Sequence, residues 1–358
     1  MKLIAFSMVR STPRLAPPSR QTGVNLVELM IALVLGLVVV GGAVSIFVTN
    51  QQTYSATESL GRIQENTRTA FELMARELRE AGGNPCGRNL PAPANVLNGA
   101  GGAWWNTFGG GLTGYDDAQP MAAPAPPAVG LAARIAGTDA FDIQSAAGSG
   151  ISVVSGNPVA ASMQLNTVNH GFQQGDILMV CDFRQAAIFQ MTGPNSPPGT
   201  NNIVVHNQGG AVAPGNCTQR LGLPVNCGPL GPTHTFGENS TVARLAASRW
   251  YIGDNGRAAG VPGTTGRALF RSTLRQGALV NEEIAEGVTN MQVTYLLAGA
   301  AAYVPAAAVT AVQWRNVRAV NVTLTLAGQA QGETRVGSDG AALQRQVNYF
   351  VILRNRNS

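Results

Sequence analysis

From Leu29 to Val48 the chain runs LMIALVLGLVVVGGAVSIFV, twenty apolar or small residues with no charge among them. At 1.5 Å per residue a helix of that length spans about 30 Å, the thickness of a bilayer core. Beyond it the pattern changes without ending. Apolar residues recur at Leu60, Ile63, Ala70, Phe71, Met74, Ala75, Leu78 and Ala81, the spacing of one helical face. The other face carries Glu58, Arg62, Glu65, Arg68, Glu72, Arg76, Glu77, Arg79 and Glu80. Opposite charges four residues apart, such as Glu58–Arg62 and Glu72–Arg76, each add about 0.2–0.5 kcal/mol. Gly82-Gly83-Asn84-Pro85 supplies the stop. The pattern predicts one helix from about Val24 to Ala81, roughly 85–90 Å long. Residues 24–52 suit lipid, and residues 53–83 form its amphipathic continuation.

The remainder, 84–358, reads as a β-rich head. Residues 84–130 are rich in Gly, Pro, Ala and Asn and predict a long irregular excursion, with Trp104, Trp105, Phe108 and Tyr115 pinning it to a core; an exposed contact patch is the other reading of those aromatics. From about 131 short strand-like runs alternate with turn residues. They include Phe141–Ser145, Ile151–Val154, Asp176–Asp182, Ala187–Thr192, Ile203–His206, Arg249–Gly253, Arg267–Thr273, Val288–Leu297, Val317–Ala327 and Gln346–Leu353. Val320, Val322, Leu324 and Leu326 alternate with Asn321, Thr323 and Thr325, as in a half-buried antiparallel strand. The expected fold class is α+β: a long N-terminal helix, half transmembrane and half amphipathic, packed on a mainly antiparallel sheet.

Charge refines this picture. The formal net charge is +5, but Lys2, Arg10, Arg14 and Arg20 all precede Gly23 with no acid between them. Removing those four leaves +1, so no basic face for nucleic acid is implied. A positive flank before the apolar run places the N-terminus in the cytoplasm and everything after Thr49 outside it. The four cysteines, Cys86, Cys181, Cys217 and Cys227, form no C-x-x-C pair. In an exported chain an even number suggests two disulfides with three possible connectivities. Cys217–Cys227 would close a short Gly/Pro loop and leave Cys86–Cys181; free buried thiols are the other reading.

Catalytic patterns are missing from the sequence. His170, His206 and His234 lie far apart, without H-x-x-x-H or H-E-x-x-H spacing. Ser240 has no G-x-S-x-G context, and Gly109-Gly110-Gly111 opens no strand–loop–helix unit. Asp116-Asp117 and Asp254-Asn255-Gly256 read as turns rather than calcium ligands. Neither an enzyme, a cofactor nor a metal is expected.

One residue does not suit a plain anchor. Glu28 sits at the edge of the apolar run, where an unpaired carboxylate costs a few kcal/mol. Cleavage after Gly23 would place the new amino group of Val24 four residues before it. The stretch Gly23-Val24-Asn25-Leu26-Val27-Glu28-Leu29-Met30 resembles the type IV prepilin processing site, a Gly, a hydrophobic residue and an apolar run with Glu at the fifth mature position. Val24 stands for the usual Phe and Asn25 for the common Thr, and a start at Met8 would shorten the long leader.

The resemblance implies a leader at 1–23, cleavage between Gly23 and Val24 by prepilin peptidase, N-methylation of Val24, and docking of each subunit through Glu28. In the head, Gly175-Asp176-Ile177-Leu178, Ala187-Ile188-Phe189-Gln190, the run from Glu286 to Tyr295, Val317-Arg318-Ala319-Val320 and Leu353-Arg354-Asn355-Arg356 are similar to PilW-type minor pilins. That family implies a low-abundance subunit which primes pilus assembly with other minor pilins, at or near the tip, in support of twitching motility and adhesion. Its implied partners are minor and major pilins, the peptidase, the inner-membrane assembly platform, and lipid before assembly. The implied location is a bacterial inner membrane with a periplasmic head, then the pilus. A J-type pseudopilin of type II secretion and an exported adhesin on an uncleaved anchor are the rival readings.

Overall fold

No proline interrupts residues 26–80, and helix α1 runs unbroken over Leu26–Glu80. The computed structural model describes Gly23 and residues 25–86, 92–108, 110–117, 119–147, 150–197, 199–209, 212–228, 230–257, 266–327 and 344–356. Residues 1–22 of the leader, Met8 among them, and Val24 lie outside the described residues. The chain divides into two units, Met1–Tyr54 and Ser55–Ser358. In the first, every residue from Asn25 to Tyr54 is exposed, the apolar ones included.

In the second unit the rest of α1 is followed by strands β1 (Ala94–Asn95), β2 (Leu112–Tyr115), β3 (Ala140–Ala147), β4 (Val153–Asn157) and β5 (Ser162–Leu165). Next come β6 (Ile177–Cys181), β7 (Ala186–Gln190), β8 (Ile203–Val205), β9 (Thr241–Asp254) and β10 (Arg267–Arg275). The last are β11 (Ala278–Glu286), β12 (Val288–Leu297), β13 (Val304–Pro305), β14 (Val317–Ala327) and β15 (Gln344–Ile352). An eight-stranded sheet has the order β1-β7-β6-β9-β10-β11, with β3 joined to β9 and β2 to β3. A four-stranded sheet runs β13-β12-β14-β15, and a three-stranded one β4-β5-β8. Every strand ladder is antiparallel except β1 with β7, so the fold is α+β.

Local chemistry sets the hairpins. Between β10 and β11, Arg275 pairs with Ala278 across Gln276 and Gly277, whose φ angles are 49° and 81°. Two successive positive φ values define the type I′ turn, whose twist matches the strands, and glycine supplies the second without strain. In β2, a Cβ added to Gly114 would lie 2.1 Å from the Tyr295 hydroxyl oxygen, so only hydrogen fits beneath that ring.

The amphipathic half of α1 buries Ile63, Ala70, Met74, Ala75, Leu78 and Ala81 in one core. Phe141, Trp250 and Leu269 of the large sheet join it, as do Val293, Tyr295 and Val322 of the four-stranded sheet. Phe71 stacks on Tyr349 with ring centroids 4.0 Å apart. Two expectations need correction. Leu60 is 38% exposed, so the buried stripe begins only at Ile63. Glu77, placed with the charged residues opposite the stripe, turns inward onto β9 and β10, where three donors meet its carboxylate.

The segment 84–130 is also less irregular than expected, because β1 and β2 lie within it. Trp104 and Trp105 are buried there, as is Tyr115. Arg249, 1% exposed, anchors this excursion. It bonds both oxygens of Asp142 at 2.6 and 2.8 Å and donates to the carbonyls of Pro124 and Ala122, with its guanidinium over the Trp104 ring. Asp142 also accepts from the Tyr115 hydroxyl at 2.8 Å, so the buried charge pair has its remaining bonding capacity met.

Candidate functional site

Glu28 is the sole charged residue between Leu26 and Tyr54. It stands in the first turn of α1, where the helix dipole favours an anion. The turn itself is closed by the Leu29 amide, which donates to the Asn25 carbonyl at 3.1 Å. Gly23 lies just ahead of the helix with nothing within 4 Å of a Cβ built upon it. Its partner in the candidate processing site, Val24, is outside the described residues.

Along the exposed helix Leu29, Ala32, Leu33, Gly36, Leu37 and Val40 share one face and line a shallow groove. The Ala32 and Gly36 spacing is the small-xxx-small pattern that lets two apolar helices approach closely in lipid. By length and composition α1 is sufficient to cross a membrane. The arrangement therefore offers close apolar packing along its length and a carboxylate at its start.

The head places the remaining candidates apart. His170 has Nε2 2.9 Å from the Asn201 carbonyl and accepts from the Phe172 amide. His206 is 3% exposed beside the Phe189 ring, and burial pushes its imidazole down to about pKa 4 against the backbone groups that favour the proton. His234 meets Asp182 at 2.6 Å. For Asp182, burial opposes the charge, but the Gln185 amide, His234 and the Arg184 amide outweigh it and hold the carboxyl below its ordinary range.

Asp116 accepts the Ala306 and Ala307 amides, and Asp254 accepts the Gly256 amide two residues on. The Asp116 carboxylate thus holds the distant Ala306–Ala308 turn of helix, only that of Asp254 closes its own turn, and among the described residues no group of three potential metal ligands converges. The cysteines pair as Cys86–Cys181 and Cys217–Cys227.

Two sites were not singled out from the sequence. Phe183, 83% exposed at the β6–β7 turn, is one; the Asp182–His234 contact beneath it is the other. An Asp-Phe-Arg turn between two apolar runs marks the first, since an Asp there closes the turn on its own backbone. Nothing local marks the second, because its partners are 52 residues apart.

The C-terminal part of the head, residues 249–347, matches the family model for Type IV Pilus-assembly protein W. Neither the curated proteins nor the solved structures contain a match to the chain. The matched segment takes in β10 to β14 and parts of β9 and β15, among them the strands that receive the buried stripe of α1. That match supports involvement of this chain in type IV pilus assembly.

Proposed function

We propose that the chain is a minor pilin, a structural subunit without catalysis, processed at Gly23-Val24 and held in the inner membrane before it joins a pilus. The observation that carries this reading is Glu28, the one charge in an apolar helix that is exposed from Asn25 to Tyr54. Exposed apolar surface on that scale needs a cover. Lipid supplies it before assembly, and the helices of neighbouring pilins supply it afterwards.

Glu28 sets the register of that exchange. Cleavage after Gly23 leaves the Val24 amine positive, and the same amine on an adjacent subunit neutralises the carboxylate as both leave water. N-methylation of Val24 retains the charge. The head, built on the sheet that the pilus-assembly family matches, stays periplasmic and contacts other minor pilins in a complex that primes the filament at its tip. Twitching motility and adhesion follow from that position. A secretion pseudopilin would share the helix and Glu28, and the family match is what favours the pilus.

The test is incorporation. Glu28→Ala should insert into the membrane and fold its head, yet be lost from sheared pili. Normal incorporation of that variant would exclude the docking role.

A further inference from the structure

The four-stranded sheet ends on β15, and among the described residues no strand pairs with its outer side. Leu353 donates its amide to the Arg318 carbonyl at 2.9 Å, one step beyond the Ile352–Ala319 pair. The alternation of an antiparallel ladder then turns the backbone N–H and C=O groups of Gln346, Asn348, Phe350 and Ile352 away from β14. Side chains follow the same alternation. Val347, Tyr349 and Val351 pack towards the core, whereas those four residues are exposed, Phe350 at 64% and Ile352 at 63%. The Phe350 ring meets Tyr303 edge-on, their centroids 6.0 Å apart.

Other sheet edges are short or guarded. Strands β1 and β13 have two residues each, and β11 carries Glu282 and Glu283 with a register shift against β10. Apart from Arg345, β15 lacks such guards along its nine residues. A regular edge with bulky apolar side chains standing beside an open row of backbone groups is a template for another strand.

Charge selects the chain that fits. The small net charge beyond Gly23 conceals a segregation. From Gly287 to Ala327 and from Gln344 to Arg356 no Asp or Glu occurs, while Arg315, Arg318, Arg345, Arg354 and Arg356 do. Exposed Arg345 stands at one end of β15, with Arg318 and exposed Arg354 at the other. Glu80 of α1 reaches that second end through its carbonyl, which accepts from Asn355, but Arg76 and Arg79 share its stretch of helix. A second copy of β15 in antiparallel pairing would bring Arg345 towards Arg354 with no acid between them, which disfavours self-association. A nucleic acid would meet an uncharged centre and leave the outward backbone row unpaired.

We propose that β15 accepts an added strand from an acidic protein partner. The backbone of that extended segment pairs with Gln346 to Ile352, its alternate apolar side chains cover Phe350 and Ile352, and its flanking carboxylates meet Arg345 and Arg354. The contact is independent of how α1 is processed or docked.

The full chain, in detergent with both disulfides intact, should be titrated with synthetic peptides of alternating valine and threonine, ended by glutamates or by lysines. The glutamate-ended peptide should bind about tenfold more tightly, and the difference should shrink as salt is added. Hydrogen exchange should slow at the Gln346, Asn348, Phe350 and Ile352 amides and stay unchanged along β11. Gln346→Pro removes one outward donor and spares the ladder to β14, so it should weaken binding about tenfold at unchanged melting temperature. Arg345→Glu combined with Arg354→Glu should reverse the preference between the two peptides, which a damaged fold would not do. A single-stranded oligonucleotide and the concentrated chain alone represent the other occupants. No peptide binding, equal affinity for both peptides, protection outside β15, binding of the oligonucleotide alone, or dimers that bury β15 would each overturn the proposal.

Discussion

Glu77 Oε2 accepts a hydrogen bond from the indole Nε1 of Trp250 at 2.7 Å, joining the last turns of the helix to the middle of β9 across 173 residues of chain. The same oxygen accepts from Ser248 Oγ at 2.6 Å, and Oε1 accepts from Arg271 at 2.9 Å. One carboxylate thus closes the helix onto two strands.

Removing it leaves the buried Trp250 indole N–H without its acceptor and takes from the Arg271 guanidinium one of its two carboxylate partners, the other being Glu282. Glu77→Ala should therefore destabilise the head by about 2–3 kcal/mol, while Glu77→Gln, which keeps one acceptor oxygen, should lose less. Denaturant unfolding of the full chain in detergent, followed by tryptophan fluorescence, measures both. Equal stability of Glu77→Ala and wild type would mean that the Trp250 indole finds another acceptor and that Glu282 alone suffices for Arg271.

The helix was legible in the sequence because its two signals, an uninterrupted apolar run and a Gly82-Gly83-Asn84-Pro85 stop, are local. β14 was legible for the same reason: its buried positions alternate along Val320, Val322, Leu324 and Leu326 as the pleat requires. Glu77 was not, since its partners come from strands more than 170 residues away. β11 was missed because Asn281, Glu282 and Glu283 give an edge strand a polar sequence that resembles a loop. The first half of β9 was missed as well, its alanines at 243, 246 and 247 carrying little strand preference. Of the candidate sites, Glu28 stood out as a charge in an apolar run, whereas the Asp182–His234 contact needed the fold to bring it together.

His206 makes the head sensitive to mild acid. Its folded pKa of about 4 lies below the 6.5 of an exposed histidine, with burial as the main cause. The neutral form is thus favoured in the fold, and its contribution is fully present above pH 6.5. Stability falls as the pH drops from 6.5 towards 4, because the unfolded chain gains a proton that the fold refuses. At pH 4.5 the loss from this group is about 2–3 kcal/mol. Unfolding free energies measured between pH 7 and 4.5 should therefore decline less steeply in His206→Gln than in wild type. Parallel pH profiles would show that the imidazole is not the group responsible.

The two disulfides should differ in weight. Cys86–Cys181 spans 95 residues and ties the segment after the helix to β6, whereas Cys217–Cys227 spans 10. On the chain-entropy account the long loop contributes about 4–5 kcal/mol and the short one about 3. Paired Ser substitutions at Cys86 and Cys181 should lower the denaturation midpoint more than those at Cys217 and Cys227. The reverse order would indicate that the short Gly/Pro loop holds more of the head together than its length implies.

A pilin with this helix needs a free, positively charged amine at Val24 beside the Glu28 carboxylate. Mass spectrometry of the N-terminal peptide from membrane-bound and pilus fractions tests it directly. The predicted peptide begins at Val24, is N-methylated, and is the same in both fractions. A mature chain that still contains an intact Gly23–Val24 bond would contradict the pilin reading.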